Sequence, residues 1–230
     1  MTFLYLLGTD SKWENNELRY SLRSICRHVQ HDQVIVVGER PSWLRNVTHI
    51  AVPDVYPTPV GCQLHKLLQA CSDPAVPDRF TLMNDDFLFL EDHAIPLATY
   101  IRGTIEQRIS DGPRFEAFYY ELMIKALHQL RKLGIAQPLD FDSHHPLPMI
   151  KSRVLAMAEL FGGSGSVYQW RTMYGNTNPV ITTYQRDPKV YVWAGEPRVP
   201  FISTGPDLER SSEFVRWIAE RFPEPCIYEA

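Results

Sequence analysis

Arg79-Phe80-Thr81-Leu82-Met83-Asn84-Asp85-Asp86-Phe87-Leu88-Phe89-Leu90 is an apolar run that halts at two adjacent carboxylates and then resumes. The part before the break is of strand length and rich in Phe and Leu, so it reads as a buried strand. Two ionised carboxylates are costly to bury without a partner, so the chain must open to a cleft there or hold a cation. A hard divalent ion, Mg2+ or Mn2+, takes oxygen ligands and keeps positions open for substrate phosphates, which satisfies that demand. A strand-end turn capped by Asn84 and Asp85 is the other reading of the same residues.

Around this stretch lie 230 residues with 44% hydrophobic content, enough for one substantial core and within single-domain range. A net charge of -4 and scattered histidines advertise no basic field for nucleic acid or an anionic membrane. A nucleic-acid substrate would have to be met by a local patch. The cysteines, Cys26, Cys62, Cys71 and Cys226, lack metal-knuckle spacing and read as reduced and structural. No stretch approaches the roughly 18 uninterrupted apolar residues of a membrane span. Residues 3–7 lack the length and basic flank of a signal peptide, so a cytoplasmic location is expected.

Upstream of the break, residues 3–7 form a short apolar run ended by Gly8-Thr9-Asp10, a strand buried on both faces. Asp10 therefore stands at a strand's carboxyl end, the edge where open α/β sheets bind ligands, or else caps the next helix. Leu18, Leu22, Ile25, Cys26 and Val29 recur at helical spacing behind Asn15, a suitable N-cap. Arg19, Arg23 and Arg27 stripe another face of that helix, and phosphate binding and simple solvation both fit Arg19 and Arg23. Residues 33–37 are a second buried strand, which makes a right-handed parallel crossover, and residues 47–52 a weaker third. Three prolines make residues 53–59 a loop leading to a helix over residues 60–71, where Lys66 reaches a phosphate or snorkels outward.

Downstream, a long helix is expected over residues 115–133. Asp140-Phe141-Asp142-Ser143-His144-His145-Pro146-Leu147-Pro148 is a proline-stiffened loop presenting imidazoles beside carboxylates. Such histidines are either metal ligands or ordinary polar loop residues. A helix at residues 151–160 and a flexible break at residues 162–166 precede Trp170-Arg171-Thr172-Met173-Tyr174-Gly175-Asn176, rich in groups that bind sugar or phosphate. A strand at residues 190–193, a Ser/Thr/Gly turn and a helix at residues 211–222 complete the chain.

Taken in order, these segments resemble the Stealth family of sugar-phosphate transferases. Glu17-Leu18-Arg19-Tyr20-Ser21-Leu22-Arg23-Ser24-Ile25, Pro41-Ser42-Trp43-Leu44 and Asn84-Asp85-Asp86 are similar to that family's second conserved block almost residue for residue. Gly8-Thr9-Asp10 resembles the end of the first block, although Tyr5-Leu6-Leu7 stands where the family has Trp-Val-Asp. His144-His145-Pro146 resembles the His-x-Pro of the third block, which favours His144 over His145, and Arg171 falls where the family has a functional Arg. No clear fourth block is found, and the chain is also similar to short phage-type glycosyltransferases.

The resemblance implies a type-A nucleotide-sugar transferase fold: one α/β domain with a mainly parallel central sheet flanked by helices. It implies Mg2+ or Mn2+, held by Asp85, Asp86 and His144, and a nucleotide-diphosphosugar donor met by Asp10, Arg19, Arg23, Lys66, Asp85 and Arg171. Arg171 would stabilise charge on the phosphates, and the catalytic base would be Asp10, with His144 as its competitor. The acceptor would be a carbohydrate or another hydroxylated substrate, a modified nucleic acid included. Attack on the anomeric carbon transfers the sugar, and attack on the β-phosphorus transfers sugar-1-phosphate. The missing block tips the expectation toward sugar transfer, with a catalytically silent carbohydrate-binding protein as the non-enzymatic alternative.

Overall fold

The computed structural model describes residues 1–92, 99–111, 117–163, 168–178 and 182–230. The first half alternates: β1 (Thr2–Leu7), α1 (Asn16–His28), β2 (Gln33–Gly38), β3 (Thr48–Ile50), α2 (Pro59–Ser72) and β4 (Arg79–Met83). After these come β5 (Phe87–Phe89), β6 (Thr99–Ile101), α3 (Ile105–Ser110), α4 (Ala117–Lys132), β7 (Leu147–Ile150) and α5 (Lys151–Phe161). The chain continues with α6 (Trp170–Thr177), β8 (Thr182–Tyr184), β9 (Lys189–Val190), β10 (Phe201–Thr204) and α7 (Ser212–Arg221).

The main sheet has the order β3-β2-β1-β4-β7. Its first four strands are parallel and β7 joins β4 antiparallel. Successive side chains of β1 serve opposite faces, as strand geometry demands. Phe3, Tyr5 and Leu7 pack with Leu18, Leu22 and Ile25 of α1. Leu4 packs with Leu64 and Leu67 of α2 and Met123 and Leu127 of α4. Burial of each such side chain contributes about 1.5–3 kcal/mol, so the two faces together dominate stability. The expected mainly parallel α/β sheet is present, and β1 and β4, as parallel neighbours, bring Asp10 and Asp86 to one edge.

The opening stretch divides at its carboxylates. Before them β4 belongs to the main sheet, and after them β5 pairs antiparallel with β10 in a second sheet of order β5-β10-β9. Leu88, Ile202, Phe214 and Ile218 make a third core between that sheet and α7. Asn84-Asp85-Asp86 is the hinge between the two sheets.

Several elements differ from expectation. Residues 147–148, the end of the expected loop, begin β7, and Pro148 is tolerated because β7 is an edge strand that need not donate on its outer side. The Ser-Thr stretch expected as a turn is β10, and the expected strand at residues 190–193 shrinks to β9. Residues 170–177 are helical. Asn15 lies at φ 57 and does not cap α1; Ser11 Oγ accepts from the Asn15 and Trp13 amides instead. Residues 115–116 of the expected long helix and 164–166 of the expected break lie outside the described residues.

The C-terminal tail closes back on α1. Arg23 donates from Nε and Nη2 to the two Glu229 oxygens, each at 2.7 Å, and from Nη1 to the Phe222 carbonyl. Arg19 approaches the same carboxylate at 3.4 Å and lies over the Trp43 ring. Glu229 is only 4% exposed, so Glu229→Ala leaves the half-buried Arg23 guanidinium with backbone carbonyls alone and should cost about 2 kcal/mol. Urea unfolding checks this, and a loss below about 1 kcal/mol would mean the fork contributes little.

Candidate active site

Gly8, Asp10, Glu17, Asp85 and Asp86 line a cleft of about 360 Å³ at the carboxyl edge of the main sheet. A second cleft, of about 390 Å³, is lined by Arg102, Asp142, His144, Trp170 and Arg171. Asn84, Lys189 and Pro206 line both, so Asn84 of the hinge forms, with the other two, the wall the clefts share.

Asp86 is the best-anchored carboxylate. Its carbonyl accepts from the Thr204 amide, and Oδ2 accepts from Ser203 Oγ at 2.6 Å and Lys189 Nζ at 2.5 Å. Both partners come from the second sheet, which is why a strand change at this point fixes the carboxylate. Burial, with Asp86 and Glu17 nearby, pushes the Asp85 carboxyl up to about 7. Glu17, which accepts from Ser11 Oγ at 3.0 Å, is also raised, first by burial. Asp10, Glu17, Asp85, Asp86 and Glu209 thus outnumber Lys12 and Lys189 along this cleft, and the excess of carboxylates favours a cation.

Among the described residues, no three metal-ligating side chains converge enough to hold an ion by themselves. The donor set fits a magnesium-type site in which one or two carboxylates are completed by phosphates and water. His144, expected as the third ligand, does not join Asp85 and Asp86. It lines the second cleft, with Nδ1 2.9 Å from Asp187 Oδ1, and Arg102 donates to the same carboxylate at 2.7 Å. Burial opposes ionisation of Asp187, but His144 and Arg102 more than offset it and hold that carboxyl well below the usual range.

Arg171 and the His144 loop are carried by one unit. Asn176 on α6 accepts from the Leu139 amide and donates to its carbonyl, at 2.9 and 2.7 Å, and Thr172 accepts from the Phe141 amide. The Phe141 ring lies so close to Gly175 that a Cβ there would stand 2.3 Å from it, so α6 needs glycine at this turn. So held, Arg171 is 8% exposed, stacks over Trp170, and donates from Nη2 to Asn84 Oδ1 at 2.6 Å. Among the described residues no carboxylate lies within ion-pair distance of it. Burial pulls its pKa below the ordinary value. The Asp142 and Asp86 carboxylates oppose that shift from beyond ion-pair distance, so the buried charge is only partly balanced.

Three expected donor ligands are engaged elsewhere. Arg19 and Arg23 hold Glu229 of the tail and line neither cleft. Lys66 is buried and ion-paired with Asp54, also outside both clefts. Gly38, at φ +116, passes so near that a Cβ would stand 2.9 Å from Lys66 Cε, so the lysine is packed under the sheet edge rather than snorkelling. The local spacing of these cations carries no sign of partners on distant segments. Sequence reasoning missed Lys189, Asp187, Glu17 and Arg102; the charged run Arg186-Asp187-Pro188-Lys189 is the one signal that pointed to two of them.

His145, passed over in favour of its neighbour, is 4% exposed and lies between the rings of Tyr100 and Phe201, at 4.3 and 5.9 Å. Neither ring nitrogen has a hydrogen-bond partner among the described residues. Burial pushes its pKa down from 6.5 to about 4. Unfolded, the ring binds a proton below about 6.5; folded, only below about 4. Stability from this group is therefore present above 6.5 and lost as pH falls toward 4, by on the order of 3 kcal/mol. His145→Phe should flatten that slope in urea midpoints measured from pH 7.5 to 4, and an unchanged slope would assign it to other groups.

A scan against protein-family models finds no match. Among solved structures, the galactosyltransferase LgtC, in complex with donor and acceptor sugar analogs, aligns over 97% of this chain and 94% of its own. Its TM-score is 0.54 and its identity 13%. An active-site mutant of LgtC aligns with the same coverage and identity at a TM-score of 0.52. Mouse xyloside xylosyltransferase 1, in its apo form, aligns over 88% of this chain and 97% of its own with 12% identity and a TM-score of 0.43. The chain thus has the α/β fold of LgtC, a glycosyltransferase fold.

Proposed function

We propose that the chain is a glycosyltransferase that moves a sugar from a nucleotide-diphosphosugar to an acceptor hydroxyl. The observation that carries this reading is the pair of joined clefts, one acidic, the other holding the buried Arg171 guanidinium, meeting at Asn84 and Lys189. They open at the strand edge where α/β sheets bind ligands, in a fold shared with an enzyme solved with donor and acceptor analogs. Mg2+ or Mn2+ would be held by Asp85 and Asp86 and would supply the positive charge that neutralises the donor diphosphate.

The chain's own residues have separable tasks. Arg171 presents a planar fork to the phosphate oxygens as charge grows on them. His144 has its Nδ1 engaged by Asp187, which leaves the other ring nitrogen to take the acceptor proton. Asp10 borders the donor side of the acidic cleft and is the alternative base.

A panel of nucleotide sugars with Mn2+, with the released nucleotide identified, tests the reading. Release of nucleoside diphosphate is expected. Nucleoside monophosphate would instead support sugar-1-phosphate transfer, the reaction of the Stealth family that the Glu17–Ile25 and Asn84-Asp85-Asp86 segments resemble. Neither release nor nucleotide binding would return the chain to a carbohydrate-binding role.

A further inference from the structure

Lys189 lies on the short strand β9, opposite Ser203 of β10. Its ammonium and the Asp86 carboxylate are 14% and 13% exposed and meet at 2.5 Å. The same side chain lines both clefts, and its amide donates to Asp187 Oδ1 at 3.3 Å. It therefore stands between the acidic cleft and the Arg171 cleft, on the carboxylate oxygen that Ser203 also holds. Lys12, on an exposed loop, is the other lysine along the acidic cleft.

A divalent ion needs carboxylate oxygens, and an ammonium already seated on one competes with it for the same charge. A long, flexible stem lets a lysine exchange one anionic partner for another nearby, as a fixed guanidinium fork does not. From these observations we propose that Lys189 is the resident counter-ion of the cleft. In the free protein it neutralises Asp86 and suppresses binding of free divalent ion; when a diphosphate enters, its ammonium passes to the phosphate oxygens and releases Asp86. The nucleotide thereby lends the ion its affinity, so ion and diphosphate bind with positive coupling. This rests on the reading of the acidic cleft as a nucleotide-sugar site.

Mn2+ alone, followed by electron paramagnetic resonance without nucleotide, tests the first half. Lys189→Met keeps most of the stem and removes the charge; it should bind Mn2+ at least tenfold more tightly than the native chain, and adding Asp86→Asn should erase the gain. Lys189→Gln, checked for folding by circular dichroism, serves as the second variant. Equal Mn2+ affinity in native chain and variants, or no binding to any of them, overturns the proposal. Calorimetry with UDP and GDP in the presence of EDTA tests the second half. Tenfold weaker binding to the variants is expected, and unchanged affinity overturns the transfer of the ammonium to phosphate. A native chain that binds no nucleoside diphosphate even with Mn2+ sinks the nucleotide-sugar reading, while the Mn2+ titration still reports on competition at Asp86.

Discussion

Arg171→Lys is expected to fold like the native chain, keep donor affinity within a few-fold, and turn over roughly a hundredfold more slowly. The guanidinium is 8% exposed, gripped by Asn84 and stacked on Trp170. It has already surrendered its hydration, and among the described residues no carboxylate pairs with it directly, although Asp142 and Asp86 act on it from farther away. As the glycosidic bond to phosphate breaks, negative charge builds on the leaving diphosphate, and a pre-desolvated planar fork meets it without reorganising. Lysine retains a point charge, hence ground-state attraction, but loses the two-pronged geometry and the contact with the indole. The loss should therefore fall on kcat and leave KM for the donor nearly unchanged, the mark of an interaction made in the transition state. Steady-state kinetics with the donor identified in the nucleotide panel decide it. Equal kcat in the two proteins removes Arg171 from the mechanism, and a rise in KM alone makes it a binding residue.

How much of this was legible beforehand depends on the range of each interaction. Residues 3–7, 33–37 and 80–83 are strands of the main sheet because continuous apolar runs have few other ways to be buried on both faces. Once they are parallel, the edge that gathers Asp10, Asp85 and Asp86 follows. The halt at Asn84 was visible too, and its cause is topological: the chain leaves one sheet and enters another. What escaped notice is long in range. Lys189 finds Asp86 across 103 positions and Arg23 finds Glu229 across 206, so nothing near either cation reveals its partner. Arg19 and Arg23 looked available for phosphate because their counter-ion stands at the other end of the chain.

The two histidines illustrate a second limit. In a loop that runs through Pro146 into β7, successive side chains point to different surroundings, and composition cannot say which enters a cleft. His144 lines the Arg171 cleft and is held by Asp187, whereas His145 is sealed between Tyr100 and Phe201. The expectation that an imidazole belongs with Asp85 and Asp86 treated the loop as facing the acidic cleft. Seating on α6 through Thr172, Gly175 and Asn176 directs it to the other one.

That placement gives the other large prediction: His144→Asn should lower transfer by about a hundredfold to ten-thousandfold while leaving affinity for Mn2+ and for nucleoside diphosphate intact. An acceptor hydroxyl is a weak nucleophile until a base within hydrogen-bond reach takes its proton. Asp187, itself held by Arg102, accepts a hydrogen bond from Nδ1, which fixes the tautomer with a free lone pair on the remote nitrogen. Asp187→Asn, able to hold the ring in either tautomer, should also slow turnover without touching nucleotide binding. Asp10→Asn supplies the contrast, since its carboxylate borders the cleft that holds Asp85 and Asp86. If His144→Asn keeps the native rate while Asp10→Asn loses it, the proton goes to Asp10 and the His144–Asp187 pair is left with a role in seating the loop on α6.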